Sequence, residues 1–139
     1  MITGFESFHD SREGTERGKN IIYRFDLEGI SLAHLGDIGQ KSLTDRQLEE
    51  LLNIDIVIIP IGGKYTVGSK DAVNIISQIE PRIVIPMHYK IKGLKVDVEG
   101  PEGFAKELGI SKIEPVSKLR VNKKELLSGD REVIFLEKI

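Results

Sequence analysis

Three side chains of this sequence could carry chemistry together: His9, Asp37 and His88. His9 follows the strand-like run in FESFHDSREG. Asp37 sits in the glycine-flanked turn of ISLAHLGDIG, and His88 ends the most apolar stretch of the chain, RIVIPMHYK. In layered α/β proteins such strand ends are where a rigid sheet aims side chains and loops leave room for a ligand. Two imidazoles and a carboxylate suit zinc, with manganese or iron as alternatives, because nitrogen and oxygen donors together give a tight but open coordination sphere. The chain contains no cysteine, so disulfides, zinc ribbons and thiol nucleophiles are excluded, and any metal must be held by His and carboxylate groups. Spacing alone leaves another reading open for each histidine, that of a strand-end imidazole satisfied by hydrogen bonds.

Weaker candidates surround these three. His34, three residues before Asp37, reads either as a group that orients a ligand or as a half-buried strand histidine bonded to backbone. Asp10, beside His9, reads as a similar supporting group or as a plain turn residue. Gly62-Gly63-Lys64-Tyr65-Thr66 follows an apolar strand, so its amides and the Tyr65 hydroxyl could face an anionic substrate. It lacks the GK[ST] ending of a phosphate-binding loop, and a strand-to-helix turn is the competing reading. Tyr89 and Lys90, just past His88, could contact substrate, with a solvated lysine as the alternative. The basic cluster KLRVNKKE, Lys118 to Glu125, is flanked by acidic residues and has no interleaved aromatics, so it reads as solvated surface.

The elements that must position these groups follow from periodicity. Ile2 to Phe8, Ile21 to Leu27 and Ile30 to Leu35 read as a β-meander with one long polar loop, HDSREGTERGKN. Thr44 can cap a helix over Asp45 to Leu52, with Gln47 completing a capping box and Leu48, Leu51 and Leu52 forming one buried stripe. Ile54 to Pro60 and Arg82 to His88 are continuous apolar runs, the pattern of parallel strands buried on both faces. Between them a helix capped by Ser69 buries Ala72, Ile75, Ile76 and Ile79 and stops at Pro81. A third helix is expected from Pro101 to Leu108, and β-like stretches at Lys112 to Val116 and Glu132 to Leu136. Three short helices cover one face of such a sheet, so something else must cover the other.

At 139 residues, 40% hydrophobic and 30% charged, the chain has the composition of one folded domain with one core. Its formal charge of −2 gives no positive field for a nucleic acid. No apolar run is long enough to cross a membrane and the first residues carry no secretory pattern, which reads as a cytoplasmic protein.

Order, spacing and local context from Phe5 to Lys92 resemble the C-terminal half of the metallo-β-lactamase superfamily, in the branch that includes ascorbate-6-phosphate lactonase-like hydrolases. The resemblance implies that His9 binds one metal, Asp37 bridges two and supplies the catalytic carboxylate, and His88 binds the other. It implies an α/β fold forming half of an αββα sandwich, a mixed sheet with helices on one face. The His-x-His-x-Asp-His cluster of that superfamily occurs nowhere in this chain, whose only other histidine is His34. The expectation is therefore a truncated, partial domain lacking most of the metal ligands, its uncovered sheet face being where the first half would pack.

Two functions follow. One is a metal-dependent hydrolase acting on a phosphoester, lactone or amide bond of a small-molecule substrate, through a water activated between two divalent ions about 3.5–4 Å apart. It would need a complementary N-terminal half. The other is a non-catalytic half-domain that oligomerises through the open sheet face, since a large apolar patch rarely stays exposed in a monomer.

Overall fold

A computed structural model describes residues 1–139. Six strands form one mixed sheet in sequential order: β1 (Ile2–Phe8), β2 (Lys19–Leu27), β3 (Ile30–His34), β4 (Ile56–Pro60), β5 (Ile83–Met87) and β6 (Glu132–Val133). The meander β1-β2-β3 is antiparallel, and β3, β4, β5 and β6 run parallel to one another. Two reversals make β1 parallel to β3. The C-terminal ends of β1, β3, β4 and β5 therefore all emerge at the same edge of the sheet.

Four helices complete the chain: α1 (Asp45–Glu50), α2 (Ser69–Ile79), α3 (Glu102–Glu107) and α4 (Lys123–Leu126). The start of α1 is as its residues require: Thr44 accepts from the Gln47 amide at 3.2 Å, and the Gln47 side chain accepts from the Thr44 amide at 3.0 Å. The helix ends at Glu50, however, and Leu52 is 63% exposed rather than part of the buried stripe. Ser69 does not cap α2. Gly68 occupies that position in an extended conformation, and the buried Ser69 Oγ has no partner.

The pleat sends alternate residues of β4 and β5 to opposite faces. Val57, Ile59 and Val84 join Ala72, Ile75, Ile76 and Phe104 in the main core, which places α2 and α3 on that face. Ile56, Ile83 and Ile85 point the other way, where Leu126 of α4, with Leu119 and Val121, packs over them. Helices are therefore not confined to one face. The cluster Lys118–Glu125 looked purely solvated because its charges outnumber its apolar residues, yet Asn122 caps α4 through the Glu125 amide at 2.9 Å. Lys112 to Val116 forms no strand either: Pro115 has no N–H to give, and only Val116 bridges to Leu136.

Beyond the reach of α4 the second face stays open. Ile2, Ile21 and Tyr23 on β1 and β2 are 65%, 49% and 43% exposed. Phe25, its ring 6.4 Å from that of Tyr23, extends the same apolar surface toward Leu32 of β3.

Candidate metal centre

The shared edge of the sheet collects the candidates. His9 directly follows β1, Gly36-Asp37 follows β3, the Gly62–Thr66 loop follows β4, and His88 directly follows β5. His9 Nε2 lies 3.4 Å from Asp37 Oδ2. That is longer than the roughly 2.7–3.2 Å of a good hydrogen bond. It matches the separation of about 3.3–3.5 Å between two ligands each about 2.0–2.2 Å from one tetrahedral ion. The other ring nitrogen, Nδ1, is shut away from solvent without any partner in the chain.

His88 stands apart from this pair. It is exposed, carries a left-handed backbone (φ 52°), and lines an open depression with Asp37, His34, Gly36, Tyr23 and Met87. No three His, Asp or Glu side chains converge closely enough to enclose an ion. The residues present thus fit part of a metal site, a His9–Asp37 pair with His88 lining the same depression as Asp37.

The surrounding residues hold the loops in place. Asp10 is not a partner of His9: its two carboxylate oxygens accept the backbone amides of Arg12, Gly14, Glu16 and Arg17 at 2.8, 2.9, 3.0 and 2.7 Å, which closes the β1–β2 loop upon itself. Those four bonds, the one from Arg17 foremost, lower its pKa to about 2. His34 takes the backbone reading, its Nδ1 accepting from the Gly36 amide at 3.1 Å. That bond leaves the neutral ring its proton on Nε2, a donor rather than a ligand. Asn20, which nothing in the sequence marked, shapes the Gly36-Asp37 turn. Its Oδ1 accepts from the Asp37 amide at 3.0 Å while its Nδ2 donates to Leu35 O and to the buried Ser7 hydroxyl, both at 2.8 Å. Gln40 similarly accepts from the Phe8 amide at 3.1 Å and pairs with Gln47, tying the end of β1 to α1.

Tyr65 lies in a polar cleft with His9, exposed at its rim. The Arg17 guanidinium stacks 5.2 Å over its ring and donates to Lys64 O at 2.6 Å, bridging the loops after β1 and β4. Lys64 is itself paired with Asp97. The exposed Lys90 ammonium donates to the carbonyls of Leu94 and Val96 within its own loop. Tyr89 packs edge-on against Phe135 at 6.2 Å, and burial pushes its phenol pKa up.

Residues 1–88, which include this whole edge of the sheet, match the family model of a β-lactamase superfamily domain. The chain belongs to the metallo-β-lactamase superfamily. Its six-stranded mixed sheet superposes on the solved structure of a superfamily protein from Thermotoga maritima with a TM-score of 0.79 and 37% identity, over 97% of this chain and 63% of that one. Curated relatives named UPF0173 metal-dependent hydrolases are similar in sequence. The Methanosarcina mazei protein is 43% identical over 81 residues, 58% of this chain and 34% of the relative. The Methanopyrus kandleri protein is 33% identical over 142 residues, 98% of this chain and 53% of the relative. The chain thus spans between about a third and a half of the length of these two relatives. None of its helices is long and apolar enough to cross a membrane.

Proposed function

We propose that this chain contributes one part of the active centre of a metal-dependent hydrolase, with His9 and Asp37 as ligands of one divalent ion and His88 as a further ligand in the depression that it lines with Asp37. The observation that carries the reading is the 3.4 Å approach of His9 Nε2 to Asp37 Oδ2, a ligand-pair spacing rather than a hydrogen bond. A divalent ion bound there, zinc by preference and manganese or iron as alternatives, would supply Lewis acidity that brings the pKa of a water toward ~7 and polarises the bond to be broken. Asp37 would orient that water, and Tyr65, at the rim of the His9 cleft, would meet the substrate: a small phosphoester, lactone or amide. The branch that includes ascorbate-6-phosphate lactonase-like hydrolases is the one the sequence resembles. The remaining ligands come from polypeptide outside these 139 residues, in keeping with the greater length of the relatives.

The test is direct. Purified chain loaded with Zn²⁺ or Mn²⁺ is assayed on phosphodiester and lactone substrates, alone and mixed with a polypeptide corresponding to the other part of a full-length relative. The mixture should show turnover that Asp37→Ala and His88→Ala abolish; turnover unaffected by both substitutions contradicts the assignment.

A second reading has its own observation, the open apolar strip of Ile2, Ile21 and Tyr23. On it the chain is a non-catalytic oligomerisation module that covers this face with a second copy. Stable dimers without bound transition metal favour that reading.

A further inference from the structure

Gly4, Gly39, Gly62, Gly68, Gly100 and Gly103 lie outside the left-handed backbone region, so conformational freedom does not explain why they are glycine. Space explains two of them. At Gly4, Gly68 and Gly103 a Cβ would make no contact shorter than 3.2 Å, and at Gly100 it would meet only the flexible carboxylate of Glu102. At Gly39 a Cβ would overlap the carbonyl of His9, and at Gly62 the carbonyl of His88, both well inside the 3.0 Å that real Cβ contacts essentially never cross. The obstructing atoms are backbone and cannot swing aside. In each case, moreover, the residue before the histidine is tied to the same segment: the Gly39 amide donates to Phe8 O at 2.9 Å, and the Ile61 amide donates to Met87 O at 3.1 Å. His88 also holds a left-handed φ of 52°, a conformation that costs energy for a non-glycine residue and persists only where its surroundings impose it.

We propose that Gly39 and Gly62 are positioning residues for the metal centre, each kept free of a side chain because the backbone of a ligand histidine, His9 or His88, rests in the space a Cβ would fill. The inference rests on the metal reading above for its purpose, though not for its geometry. The two loops that follow β3 and β4 thereby set the height at which the histidines leave β1 and β5, and a shift of either loop moves an imidazole.

The experiment uses the full chain, ¹⁵N-labelled, as wild type, Gly39→Ala, Gly62→Ala and Gly100→Ala. Imidazole ¹⁵N–¹H spectra are recorded without metal and during titration with Zn²⁺. Gly39→Ala should move the His9 ring signals and Gly62→Ala those of His88, with His34 near its wild-type position in both. Each should weaken Zn²⁺ binding roughly 10–100-fold, the range seen when supporting residues of a metal site are changed. Gly100→Ala should match wild type. Wild-type ring signals in either variant, or equal disturbance of all three histidines, overturns the assignment. Should Gly62→Ala fail to fold, His88→Gly is added to it: a glycine at 88 lets the carbonyl turn away, so recovery of folding is expected, and no recovery overturns the role of Gly62. A wild-type chain that takes up no Zn²⁺ contradicts the metal reading, while the metal-free spectra still decide the role of the glycines.

Discussion

His9 and Asp37 touch although 27 positions separate them in sequence, because β1 and β3 are brought parallel by the strand between them and release both residues at the same edge. Asp10 supports this edge indirectly by gathering the β1–β2 loop around its carboxylate. Its pKa of about 2 in the folded chain lies below the ordinary 3.8, so its contribution is fully present above about pH 4 and is lost as the pH falls through about 2. The backbone amides of Arg12, Gly14, Glu16 and Arg17 should lose protection together in that window, as read by NMR. Asp10→Asn should release them at neutral pH; amides that stay protected in the variant would contradict the role. That His9, Asp37 and His88 stand at strand ends was legible in the sequence because hydrophobic patterning marks where strands stop; their roles as ligands were implied only by the family resemblance. Asn20, Gly39 and Gly62 were not, because their importance lies in contacts with backbone 15 to 30 residues away, which no local pattern encodes.

The helices show which local signals are strong enough to read. The Thr44–Gln47 capping box specifies α1 by two reciprocal bonds, and Thr44→Ala should cost about 0.5–2 kcal/mol in urea unfolding. Ser69 has the same residue-type signature but makes no capping bond, since the extended Gly68 already starts α2 and turns the Ser69 hydroxyl into a buried, unpartnered site. Ser69→Ala should therefore be neutral or stabilising, whereas a loss comparable to that of Thr44→Ala would mean that the hydroxyl has a partner after all. The apolar strands β4 and β5 were evident from composition. α4 was hidden because one turn capped by Asn122 is too short to show periodicity, and the only strong feature of its segment is charge.

The molecule as a whole is a sheet covered fully on one face and partly on the other. The α1–α3 face closes the main core, and the segment from Leu119 to Leu126 shields β4 and β5 but does not reach β1 and β2. The need for a cover was legible in strands that are apolar on both faces; that the chain itself supplies half of that cover was not. If the open strip drives association, Ile21→Glu with Tyr23→Glu should shift the chain toward monomer in light scattering at equal concentration, with its circular dichroism unchanged. An unaltered mass would place the association, if any, elsewhere. The shape also explains why three candidate ligands do not form a closed site: Asp37 and His88 line a depression that opens along the uncovered part of the sheet, while His9 lines the neighbouring cleft with Tyr65. Whether His9 and Asp37 act as a pair decides whether a metal centre forms here. Titrating ¹⁵N-labelled chain with Zn²⁺ tests this, with the His9 imidazole nitrogens as the probe, in wild type and in Asp37→Ala. The His9 Nε2 resonance should shift on metal binding in the wild type, and the shift should be lost or need roughly tenfold more metal in the variant. A His9 ring indifferent to Zn²⁺, or a variant that binds as tightly as wild type, would contradict the pairing.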